Sequence, residues 1–258
     1  MDLLSLTTLL DRLPHFFLPF CRIVAFFFSA PLFSEKSVSV RLRVALAMLL
    51  SFLLALSHPD TQITLFSVQG GVLLINQCVI GAALGVSMQC IFAAVRLAGE
   101  VVALQMGLSF ASFFDAASHS SLSVVSRLLA YFSLLLFVNT GGILWMIEHL
   151  AESFEHLPYT ATDSLTARFF GVVELGKWIF LHALQLSLPL IFTLLAVNIA
   201  LGLLNRMTPQ FSAFVIGFPL TLLIGIYALY LSMPLLLESV QHIMQVIDQR
   251  LFTLVSTA

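Results

Sequence analysis

The chain has 258 residues, of which 60% are hydrophobic and 9% charged, and its mean hydropathy is +1.05. Soluble domains carry about 25% charged residues, so this composition excludes a protein that keeps itself in water by its own polar surface. A net charge of −2 gives no long-range field for nucleic acid, and no basic cluster reads as a phosphate-binding patch.

The opening MDLLSLTTLLDR carries Asp2 and Asp11 but no Lys or Arg before Arg12, which predicts no cleavable signal peptide. Crossing about 30 Å of hydrocarbon takes roughly 20 apolar residues. Runs of that kind follow at 13–33, 65–95, 122–147, 171–204 and 211–237, with a short one at 42–57. No alternating ten-residue pattern suggests a barrel. Lipid-facing backbone must satisfy its own hydrogen bonds, so the fold class expected is all-α, a multi-helix membrane protein. Arg22 falls inside the first run, as a charge snorkelling to an interface or bridging packed helices. The basic residues Lys36, Arg41 and Arg43 place loop 34–43 in the cytoplasm, and the acidic stretch 148–163 reads as extracytoplasmic.

The runs 65–95 and 171–204 are long for one simple crossing. Bends are expected at Gly70-Gly71 and Gly81/Gly85 in the first, and at Pro189 and Asn198 in the second. Gly81-Ala82-Ala83-Leu84-Gly85 is also a small-xxx-small step that lets helix backbones approach. Pro189, Pro219 and Pro234 recur in similar apolar settings, and each should kink or break its helix. No repeat or linker divides the chain, so residues 1–258 read as one domain.

Ionisable residues in apolar segments are candidates for function. Arg96 and Glu100 are four apart on one helix face and are expected to pair. Arg127, Glu174, Lys177 and Arg206 border other runs. Glu148, His149, Glu152, Glu155 and His156 lack the spacing of a metalloprotease helix and read as a solvated helix end. Cys21, Cys78 and Cys90 have no CxxC spacing and read as small buried hydrophobes. GxSxG, the P-loop and GxGxxG are all missing. No enzymatic activity, metal or cofactor is expected.

One stretch stands apart. LQMGLSFASFFDAASHSS (104–121) sets Phe110, Phe113 and Phe114 among Gly, Ser and Ala, the composition of a loop between apolar segments. Together with its surroundings, AAVRLAGEVVALQMGLSFASFFDAASH (93–119), it resembles the signature of the FliR family of the flagellar type III export apparatus. LGLLNRMTPQFSAFVIGFPLTLLIGI (201–226) and RIVAFFFSAPLFSEKSVSVRLRVALAM (22–48) resemble it as well. The match is closer to the flagellar branch than to the injectisome relatives. Where the family commonly has Asp-Pro, this chain has Asp115-Ala116, which leaves more freedom at position 116.

The resemblance implies a non-enzymatic export-gate subunit of the bacterial inner membrane and flagellar basal body. It implies long, bent helical hairpins assembled with FliP and FliQ, with FlhB wrapped on the cytoplasmic side, FlhA nearby and unfolded flagellar subunits as cargo. It also implies that the complex can project to the periplasmic side. By position, Gly107, Leu108, Ser109, Phe110, Phe113, Phe114 and Asp115 would form a plug in the pore; Pro209, like Pro189, Pro219 and Pro234, is expected to bend or pack the helices. Two rival readings are a secondary transporter of a small solute, with Arg96 and Glu100 at its midplane, and an assembly scaffold that does not line the path.

Overall fold

The computed structural model describes residues 6–35, 38–55, 67–108, 123–157, 165–207 and 213–256. Among these residues there are eight helices and no strand: α1 (Leu6–Ser29), α2 (Val40–Ala55), α3 (Val68–Gln105), α4 (Val124–Asn139), α5 (Gly142–His156), α6 (Leu165–Met207), α7 (Ala213–Leu231) and α8 (Met233–Ser256). The fold is all-α, as the composition requires.

Two helices, over Gly70–Gln105 and Gly176–Met207, are long and apolar enough to cross a membrane, and up to four crossings result if each of two bent helix pairs counts as one. At about 1.5 Å per residue, the 38 residues of α3 and the 43 of α6 both exceed the hydrocarbon thickness.

The helix breaks fall between α4 and α5 and between α7 and α8, the second of them beside Pro234. Helix α3 runs unbroken through Gly70, Gly71, Gly81 and Gly85, and α6 through Pro189 and Asn198. The run 122–147, which reads as one crossing, is interrupted instead. Thr140 caps α4 by donating its N–H to the carbonyl of Leu136, and Gly141 follows at φ +81. That left-handed position is cheap only for glycine, and Asn139-Thr140-Gly141-Gly142 carried the signal. Pro219 sits inside α7. Between α7 and α8 the chain turns by 53° at Ser232, two residues before Pro234. In the first turn of a helix proline loses nothing, because its missing N–H would have no partner there.

The chain divides into two compact units. Unit 1 is Met1–Gln89, Gly142–Leu175 and Val246–Ala258; unit 2 is Cys90–Gly141 and Gly176–Gln245.

In unit 1, α1 packs on α3 through glycine. A Cβ at Gly81 would strike the carbonyl oxygen of Arg22, and one at Gly85 would fall 2.8 Å from the amide of Ala30. These glycines are points of backbone contact, the close approach that their small-xxx-small spacing suggests. Leu18, Ile23, Phe26, Phe27, Ile80 and Leu84 fill the buried core around this contact. The α1–α2 connection is held by Arg43, whose Nη2 donates to the carbonyls of Glu35 (2.8 Å) and Val38 (3.0 Å). Arg43 is thus buried in its own loop while Arg41 stays exposed.

In unit 2, the second half of α3 is the core element, with Ile91, Val95, Ala98 and Val102 buried. A Cβ at Gly99 would lie 2.6 Å from the Cα of Ser126, so α3 and α4 also meet backbone to backbone. The aromatic ring of Phe92 packs edge-on against that of Phe137.

Candidate functional site

The 104–121 stretch leaves α3 through a closed turn. Gly107, at φ +79, donates its N–H to the carbonyl of Leu104, and Leu108 donates to that of Ala103, both at 3.1 Å. This pair of bonds is a Schellman cap, which satisfies carbonyls that a helix end would otherwise leave bare. Gly107 is favoured here by its left-handed backbone angle. Neighbours fix the turn further. Met106 is buried, and a Cβ at Gly225 of α7 would fall 2.6 Å from its Cε. The ring of Phe218 faces Gly107 at contact distance. Asn198 of α6 donates from Nδ2 to the carbonyl of Gln105 at 3.4 Å. Between α6, α7 and this turn lies an open cleft of about 430 Å³, lined by Leu104, Gly107, Leu201, Gly202, Phe218 and Thr221 among others. The structure therefore anchors residues 104–108 against α6 and α7. Ser109, Phe110, Phe113, Phe114 and Asp115 lie outside the described residues, as does Pro209.

Where the described chain resumes at Ser123, Glu100 accepts the backbone N–H of Ser123 at Oε1, 2.7 Å away. Ser123 caps α4 by accepting the N–H of Ser126, and the hydroxyl of Ser126 donates to the carbonyl of Arg96 at 2.8 Å. Arg96 itself donates from Nε to Phe92 O at 3.3 Å. The carboxylate thus sits at a helix N-terminus, where the helix dipole favours negative charge. Its bond is to α4, rather than to Arg96 one turn away on α3.

In unit 1, Arg22 follows the second of its two sequence readings, a bridge between packed helices. Arg22 is wholly buried and does not snorkel. Its Nε donates to Gln77 Oε1 at 2.7 Å, Nη1 to Ser153 O at 2.7 Å and Oγ at 3.3 Å, and Nη2 to Leu157 O at 2.7 Å. Its guanidinium also lies over the Phe154 ring, 4.3 Å from the centroid. One fork of donors thereby joins α1, α3 and the C-terminal end of α5, where the helix dipole favours a cation.

Similarity to known proteins covers most of the chain. The family model described as bacterial export proteins, family 1, matches residues 13–247. A relative from Pectobacterium carotovorum, named flagellar biosynthetic protein FliR, is 45% identical over 229 residues, covering 89% of this chain and 88% of its own. The Escherichia coli K12 protein of the same name is 44% identical over 247 residues, covering 96% and 95%. That of Aquifex aeolicus is 31% identical, with 85% of each chain covered.

The chain belongs to the FliR family of bacterial export proteins.

Membership makes it a component of the flagellar export apparatus, and its apolar helices make it a membrane protein of that apparatus. In this FliR-family chain the charged residues fall into two groups. Arg127, Glu174, Lys177 and Arg206 are exposed, as are Glu148, Glu155 and His156. His149 departs from the solvated helix end: it is buried beside Trp145, with Nε2 2.7 Å from Asp248 Oδ1 and Nδ1 3.4 Å from Glu152 Oε2. The cysteines form no disulfide among themselves, and they divide by burial. Cys90 is buried, Cys21 is partly buried and Cys78 is exposed, so the reading of all three as buried hydrophobes fails at Cys78. Gln77 and Ser153 escape sequence reasoning, because a lone Gln and Ser in apolar helices carry no spacing signal of their own.

Proposed function

We propose that the chain is a non-enzymatic core subunit of the flagellar type III export gate in the bacterial inner membrane, assembled with FliP, FliQ and FlhB. In this reading the segment from Gly107 to Asp115 is the plug of a pore for unfolded flagellar subunits. The observation that carries the reading is the Schellman cap at Gly107, buttressed by α6 and α7. A stopper needs a fixed root and an adaptable tip, and three phenylalanines among small residues supply the second. Apolar side chains close a narrow constriction by excluding water. They accept any cargo, because they demand no matched hydrogen bonds.

Replacing Phe110 and Phe113 together by Gly tests this. The expected result is raised ion conductance across the membrane with some export retained. Conductance equal to wild type removes the plug assignment. Crosslinking from position 113 to a stalled export substrate separates a pore-lining subunit from a scaffold outside the path, since only the former gives strong crosslinks.

A further inference from the structure

Within unit 2, the rings of His182 of α6 and His242 of α8 make an edge-on contact, with centroids 5.7 Å apart and planes at 70°. His182 is only 7% exposed. Its Nδ1 lies 3.2 Å from Gln185 Oε1, and an amide oxygen can only accept, so Nδ1 carries the proton and Nε2 presents a lone pair. That Nε2 is buried and has no hydrogen-bond partner among the described residues. His242 is exposed on the surface of the chain. Trp178 stacks on the His182 ring from the preceding turn, centroids 5.8 Å apart.

We propose that His182 and His242 bind one divalent transition-metal ion of the class that prefers imidazole nitrogen, such as Cu2+, Ni2+ or Zn2+. Metal–imidazole bonds of about 2.0–2.1 Å put the centroids of two rings sharing an ion roughly 5–6 Å apart, which matches the observed separation. A histidine ligand is commonly oriented by a partner on its other nitrogen, and Gln185 holds that place. No third His, Cys, Asp or Glu joins the pair among the described residues. Water completes the coordination from the side of His242. Imidazole ligands select this class over Mg2+ or Ca2+, which require oxygen. The site is independent of the plug and of the export reading.

The test uses the full-length chain without a histidine tag, in detergent with the subunits that co-purify, and one equivalent of CuCl2. Electron paramagnetic resonance should show one Cu2+ per chain with superhyperfine splitting from two imidazole nitrogens, displaced by Zn2+. His242→Gln, a change at an exposed position, should remove one nitrogen from the splitting and weaken binding by about 100-fold. Gln185→Leu should keep both nitrogens and weaken binding about 10-fold, the lower range for losing a ligand's orienting partner. His156→Gln, at an exposed site elsewhere, should change nothing. If the wild type retains no copper, or if His242→Gln leaves the spectrum and affinity unaltered, the site does not exist and Nε2 of His182 is satisfied by water alone.

Discussion

The guanidinium of Arg22 reaches the backbone carbonyl of Leu157, 135 positions later, at 2.7 Å. The same side chain closes on Gln77 and Ser153, so a single buried cation ties three helices of unit 1. Among the described residues the charge is met by the carbonyls of Ser153 and Leu157, the amide oxygen of Gln77 and the hydroxyl of Ser153.

Removing that fork leaves several buried acceptors bare, each costing about 1–3 kcal/mol. Arg22→Met should therefore destabilise the chain by several kcal/mol, read as a drop in thermal unfolding temperature in detergent and in its level in the membrane. Arg22→Lys should recover only part of the loss, because an ammonium cannot reproduce the planar fork. Equal stability of Arg22→Met and wild type would contradict the network.

Two glycines of α3 should respond oppositely to alanine. A Cβ at Gly81 meets the backbone of Arg22, which cannot yield, whereas nothing lies within 4 Å of one at Gly71. Gly81→Ala should separate α1 from α3 and lower stability. Gly71→Ala should be neutral or raise stability by up to about 1 kcal/mol through helix propensity. Parallel unfolding curves of the two variants decide it.

At Gly107 the obstacle is the backbone angle rather than space, since a Cβ there would lie an ordinary 3.5 Å from the ring of Phe218. Gly107→Val should cost about 1–2 kcal/mol, loosen the helix cap at Gly107, and reduce swimming in soft agar. Gly107→Asn should be milder, as Asn tolerates the left-handed region. Identical motility for Val and Asn would show that the cap is not what matters there.

Glu100 and Arg96 offer a double-mutant cycle. Each bonds to a different group, so the coupling between Arg96→Ala and Glu100→Ala in unfolding free energy should be near zero. Glu100→Gln should retain most of the stability, because an amide oxygen can still accept the N–H of Ser123. A coupling above about 0.5 kcal/mol would mean that the two charges do pair.

Long apolar runs located most of the helices, because a membrane-type composition leaves the α-helix as the simplest way to satisfy the backbone. The bends are less legible. Gly81 and Gly85 fit both a bend and a close helix approach in the sequence; the structure shows the close approach, and a break falls at Gly141. A glycine lowers the cost of bending, of close approach and of a left-handed cap alike. Only the neighbour across the gap says which of these is used, and that neighbour is remote in sequence.

By itself, the sequence determined that this is an all-α membrane protein of the FliR family, since composition and motif order survive any choice of packing. The tertiary structure decided the roles of Arg22, Glu100, His149 and Gly107. A buried charge or a strained turn takes its meaning from the few atoms in contact with it, and folding brings many of those atoms from distant parts of the chain.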